Sequence, residues 1–158
     1  MRTRTKTKTI KLPHAKSEAF YNRVRAAQDR ADALRDTADV IDRHLGDPKG
    51  TRYDAVGGRV SGPPTDAMAE AIMRLERAQS RAQASAESAE ALVAEGAEYC
   101  VKALEREDLN DAQAILAVLR YYVERKSLKS IADEFRIGVP GVSRAKERGL
   151  VMLERLYF

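Results

Sequence analysis

Apolar residues recur along this chain at helical spacing almost from end to end. From Ser17 onward, Phe20, Val24, Ala27, Ala31, Leu34, Ala38, Ile41 and Leu45 follow one another at intervals of 4-3-4-3-4-3-4. That alternation is the heptad pattern of helices that pack at a shallow angle. It predicts a helix capped by Ser17 and running to about Leu45, closed by Gly46 and Pro48. A second seam alternates in the same way: Met68, Ile72, Leu75, Gln79, Ala82, Ala86, Ala89, Val93, Gly96, Cys100 and Ala103. It predicts an uninterrupted helix from an N-cap at Thr65 to about Arg106, roughly 60 Å long at ~1.5 Å per residue. Between the two, residues 46–64 hold five glycines and three prolines and read as a linker. An antiparallel helical hairpin is the economical arrangement. The first helix is too short to cover the second, so the Ala-rich half of the second seam is expected to meet the C-terminal domain or another protomer. Gln79, polar within that seam, is placed to set register or is simply tolerated there.

A third group of elements is short. Asn110 is an N-cap candidate, and Ala114, Ile115, Leu116, Val118, Leu119, Tyr122 and Val123 supply a core face. A break at Arg125-Lys126 precedes a helix from about Ser127 or Leu128 to Phe135, a turn at Arg136-Ile137-Gly138, and a last helix from Val139 to about Leu156. Two helices crossing steeply need a small residue where they touch, apolar inner faces and a tight turn. Ala132 is the small residue, and Leu128, Ile131 and Phe135 face inward. Ile137 plugs the turn, while Val142, Ala145, Leu150 and Leu153 line the inner face of the last helix. The pattern predicts an all-α fold: a long, coiled-coil-like antiparallel helical hairpin over 17–108, then a helix-turn-helix domain over 109–158. Residues 1–16, in which cations alternate with Thr and little can be buried, are expected to be a flexible basic arm, either solubilising or phosphate-binding.

Charge sharpens this picture. The 158 residues carry 28 Lys and Arg against 24 Asp and Glu, and the charges are segregated. Residues 1–16 hold six cations and no acid, residues 17–110 hold 13 cations and 18 acids, and residues 111–158 hold nine cations and six acids. Both ends are basic around an acidic middle, so a polyanion would meet the ends. No apolar run approaches the roughly 18 residues of a membrane span, and the start of the chain lacks a signal-peptide core. With the lone cysteine, Cys100, this points to a reducing, cytoplasmic setting.

The segment RYYVERKSLKSIADEFRIGVPGVSRAKERGLVMLERL (residues 120–156) resembles region 4 of bacterial sigma-70-type factors. There a leading helix, an S/T-L-x-x-I-A-x-x-hydrophobic helix and a V-x-R-x-x-x-R-x-L helix recur. Upstream, GGRVSGPPTDAMAEAIMRLE (residues 57–76) is similar to the linker and following helix of small phage-encoded proteins, in which a helical hairpin precedes a sigma-region-4-like domain. Members of that family are late or lytic transcription regulators. The resemblance, over roughly residues 55–156, implies a DNA-binding transcriptional regulator in a bacterial host cell. Two departures matter. Arg136 stands where the sigma turn has Gly, which demands a positive φ of a non-Gly residue. Gly138-Val139-Pro140-Gly141 replaces the Ser/Thr-Arg-Glu-Arg opening of the recognition helix, although Pro suits a first helical turn. Carried over position by position, Ser143, Arg144 and Arg148 remain as outward residues facing bases, with Lys146 nearby. Arg136, Lys129 and Lys126 would clamp the flanking phosphates.

Catalytic chemistry finds no support. His14 and His44 lie 30 residues apart without a Cys or carboxylate cluster, so no metal or other cofactor is expected. His44 is better placed as a partner of a helix C-terminus. Cys100 has no positioned base and reads as a small core residue. Gly57-Gly58 and Ser61-Gly62 lead into no Lys-Ser/Thr and make no phosphate loop. The expected partners are double-stranded DNA, further copies of the chain as a homodimer or larger homo-oligomer, and RNA polymerase if the hairpin contacts it. The rival expectation is an oligomerising phage packaging protein, an adaptor of the small-terminase kind.

Overall fold

The computed structural model describes residues 14–46, 66–106 and 111–158. Among these residues the chain is all-helical. The helices are α1 (Ala15–Gly46), α2 (Asp66–Leu104), α3 (Ala112–Val118), α4 (Leu128–Phe135) and α5 (Val139–Tyr157), and α3 continues into a π-helical turn over Leu119–Val123. The expected linker beyond Gly46, the caps at Thr65 and Asn110, and the basic arm before His14 lie outside the described residues.

Two compact units divide the chain. One joins the described residues up to Arg25 to Leu92–Phe158, and the other is Ala26–Ala91. The core of the first unit draws Phe20, Tyr21 and Val24 from α1, Cys100 and Ala103 from α2, Ile115 and Val118 from α3, Tyr122 from the π turn, and Leu150 and Leu153 from α5. Burying each large apolar side chain contributes about 1.5–3 kcal/mol. Large residues of α1 meet small ones of α2. A methyl group on Gly96 would come within 3.3 Å of the Tyr21 ring, and the Tyr21 hydroxyl donates to the Gly96 carbonyl (2.9 Å) beside the Cys100 sulfur (3.2 Å). Burial pushes the Cys100 thiol up to about 11 and the Tyr21 hydroxyl well above its ordinary range. Cys100 is thus an inert core residue.

The Ala26–Ala91 unit is thinner. Ala31, Ala38 and Ala89 are buried, whereas Leu34, Ile41 and Leu75 are half-buried. The exposed residues of the α2 seam are Met68, at 52% exposure, Ile72, at 44%, and Gln79, rather than its alanines. Ala82 and Ala86 are half-buried and Ala89 is buried, and farther along Gly96, Cys100 and Ala103 sink into the core of the first unit. Met68 and Ile72 would need a partner side chain to cover them.

Two cap assignments are corrected. α1 begins at Ala15, so Ser17 lies inside its first turn. The Ser17 hydroxyl donates to the Leu150 carbonyl (2.9 Å), and its backbone N–H donates to the Glu154 carboxylate (2.6 Å). A carboxylate of α5 therefore meets the positive end of α1, and no serine side chain caps it. α3 is capped by Asp111, one residue after the expected Asn110, with Asp111 Oδ1 accepting from Ala114 N–H at 3.0 Å.

Candidate nucleic-acid interface

The segment from α4 to α5 is built by local chemistry. Ser127 is extended, and its hydroxyl accepts from Ser130 N–H at 3.1 Å to start α4. α4 stops at Arg136, which adopts the left-handed conformation at φ 55°, ψ 40°. The sequence marked that strain, and the structure places it on a non-Gly residue. Gly138 is extended, and α5 starts with Pro140 in its first turn, where a missing N–H breaks no helical bond. Ile131, Ala132 and Val142 are buried together against Tyr121, Leu128, Phe135 and Ile137, so the inner residues expected from the sequence do meet.

Opposite that inner face, α5 presents Arg144, Arg148, Val151 and Arg155 at 4-3-4 spacing, which sets them in one outward stripe at ~3.6 residues per turn. Arg144, Arg148 and Arg155 are exposed and Ser143 is half-buried at the edge of the stripe. On and below α4, Lys129 and Arg136 are also exposed. Lys129, Arg136, Arg144 and Arg155 have no ionic partner among the described residues. They are the cations available to an anionic ligand.

The other candidates are engaged. Lys126 reaches Glu134 (2.9 Å) and Glu124 (3.4 Å), while Arg120 reaches Glu124 and Glu134. The Arg120 guanidinium, then Lys126, hold the Glu124 carboxyl below the usual range, and Glu134 raises Lys126. This network ties the π turn and the segment after it to the last turn of α4, so Lys126 supports structure before it meets any phosphate. Lys146 is not on the outward stripe. Its ammonium lies 4.6 Å from the centre of the Tyr121 ring and 5.4 Å from that of Tyr122. The Arg25 guanidinium lies 4.3 Å from the Tyr121 ring centre, so that ring contacts two cations. Arg148 Nε donates to Asp111 Oδ2 at 2.9 Å, which joins α5 to the cap of α3.

No family model, no curated protein and no solved structure matches this chain.

Several residues of the site escape a reading by motif. Arg155 was legible by extending the 4-3-4 spacing past Arg148. Glu147 is exposed one turn after Arg144 and places a negative charge within the outward face. Gly149 has a packing role that spacing does not show, because a methyl group there would lie 2.3 Å from the Ala114 carbonyl oxygen. His14 has no sequence signal; it stands at the start of α1, buried, beside the same face of α5. Among the described residues no cluster of His, Cys, Asp and Glu could hold a metal ion, and no helix is long and apolar enough to cross a membrane.

Proposed function

We propose that α3, α4 and α5 form a helix-turn-helix and that the protein is a DNA-binding transcriptional regulator, phage-encoded as the resemblance of residues 57–76 to small phage-encoded proteins implies. α5 would lie in the major groove with its first turns, and α4 would cross the backbone. The observation that carries this reading is the division of α5. One face is sealed by Val142, Ala145, Leu150 and Leu153, and the other offers Arg144 beside unpaired Lys129 and Arg136. In this reading Ser143 and Arg144 meet base edges, while Lys129 and Arg136 meet phosphates. The two long helices would form an antiparallel hairpin that dimerises the protein or contacts RNA polymerase.

A second reading, an oligomerising packaging adaptor, draws support from Met68, Ile72 and Met73, which stand exposed near the start of α2. Fluorescence anisotropy on a duplex panel across a salt series, with light scattering for mass, separates the two. Regulation expects a dimer with salt-sensitive, sequence-selective binding, whereas ring-sized oligomers support the adaptor. Arg144→Ala should flatten the preference among duplexes, and Lys129→Ala should weaken all of them alike. Failure to bind any duplex at low salt would remove the regulator reading.

A further inference from the structure

A cleft of about 700 Å³ runs beside the outward stripe of α5. Its cationic wall is Arg144, Arg148 and Arg155, its apolar floor is Val151 and Met152, and His14 from the start of α1 borders it. Asp111 and Glu147 also line it, and Asp111 occupies Arg148. His14 is 9% exposed, and its Nδ1 is buried without a hydrogen-bond partner among the described residues, while Nε2 lies 3.6 Å from the Glu18 carboxylate. A buried polar atom left unpaired costs about 1–3 kcal/mol, so a phosphate that draws the His14 ring toward the cleft would give Nδ1, when it carries a proton, the partner it lacks.

We infer that this cleft takes consecutive phosphates of one DNA strand, with Arg155 and His14 as the contacts and the Val151–Met152 floor under the sugars. The length of the stripe selects a strand over a single anion. From Arg144 to Arg155 α5 rises about 16 Å at ~1.5 Å per residue, and one strand of a duplex offers a phosphate about every 3.4 Å along its axis. An isolated phosphate would engage one end of the stripe only. The inference rests on the proposed DNA-binding reading and adds a strand contact along the C-terminal half of α5. Both contact residues, Arg155 and His14, lie outside the helix-turn-helix opening.

The test uses the full chain, the duplex panel and three variants: Arg155→Gln, His14→Gln, and Arg81→Gln in the Ala26–Ala91 unit as a control. Removing one phosphate contact should lower the slope of log affinity against log salt by ~0.9 and weaken every duplex on the order of tenfold at about 50 mM salt. Arg155→Gln is expected to do this, His14→Gln to weaken binding in the same uniform way but less, and Arg81→Gln to match wild type. If Arg155→Gln and His14→Gln bind like wild type while Arg144→Ala weakens binding, the cleft contact is overturned and the DNA-binding reading stands. If wild type binds no duplex, the DNA-binding reading fails, and inorganic pyrophosphate titrated against the His14 imidazole NMR signal decides the cleft. A saturable shift lost in Arg155→Gln would retain it as a phosphate site, and no shift would overturn it.

Discussion

Gly149→Ala provides the sharpest check on the packing that positions α5. Gly149 sits mid-helix, where alanine is ordinarily the better residue by about 0.5–1 kcal/mol. Here a methyl group would lie 2.3 Å from the Ala114 carbonyl oxygen, 2.8 Å from its carbon and 2.7 Å from a Val118 methyl. Ordinary contact begins near 3.4 Å, so α3 and α5 would have to part by about 1 Å, and two of the three obstacles are backbone. That separation loosens Ile115, Val118, Leu150 and Leu153, all buried. Overpacking of this kind costs about 1–3 kcal/mol, and subtracting the helix-propensity gain leaves a net loss on the order of 1–2 kcal/mol. Gly141→Ala is the internal control. Its methyl would meet Ile137 Cδ1 at 3.4 Å, ordinary contact with a side chain, so a gain of up to about 1 kcal/mol is expected. Urea unfolding followed by ellipticity gives the midpoints, and hydrogen exchange of α3 and α5 amides localises the effect. A Gly149→Ala protein as stable as wild type would refute the close crossing of α3 and α5.

Three further outcomes are expected. Arg136→Gly should raise thermal stability by about 1 kcal/mol, because it relieves the left-handed backbone at φ 55°, while weakening all duplexes alike; a drop in stability would show that no strain resides there. Cys100 favours the neutral thiol in the fold, since burial lifts it from 9.0 to about 11, so its contribution is complete below pH 9 and lost as pH rises through 11. The urea midpoint should fall over that range, less steeply in Cys100→Ala, and equal slopes would show that this thiol is not the group titrating. Glu147→Gln should strengthen binding to every duplex by up to about fivefold at low salt, and unchanged affinity would place Glu147 away from the DNA.

The heptad seams made much of the fold legible. Phe20, Val24, Ala31, Ala38, Ala89, Gly96, Cys100 and Ala103 are buried as their spacing predicts, because periodicity records which face of a helix is covered. The inner residues of α4 and α5 were legible for the same reason, with Ala132 small where the helices meet. Periodicity carries no record of long-range partners. Nothing local to Ser17 shows that its hydroxyl will turn to Leu150, 133 positions away, and nothing near Lys146 shows that it will lie over Tyr121. Asp111 is a cap in any reading, but its hold on Arg148 depends on α3 and α5 meeting side by side. Charged side chains are long enough to choose among several partners, so a face read from spacing overstates how many cations are available to a ligand.

That overstatement bears on what α5 can read. Val139, Pro140 and Gly141 open the helix without a side-chain donor, so only Ser143 and Arg144 in its first two turns carry hydrogen-bonding groups toward bases. Arg148 would have to release Asp111, and with it the tie to the cap of α3, before taking a guanine edge or a phosphate. Lys126 would have to leave two carboxylates at 2.9 and 3.4 Å, and Lys146 two aromatic rings. In the proposed reading, then, affinity falls to Lys129 and Arg136 at α4 and Arg155 on α5, which are cations suited to phosphates. Glu147 within the same face opposes tight electrostatic capture. The balance favours a protein positioned by backbone and groove shape, with direct base recognition concentrated at Arg144.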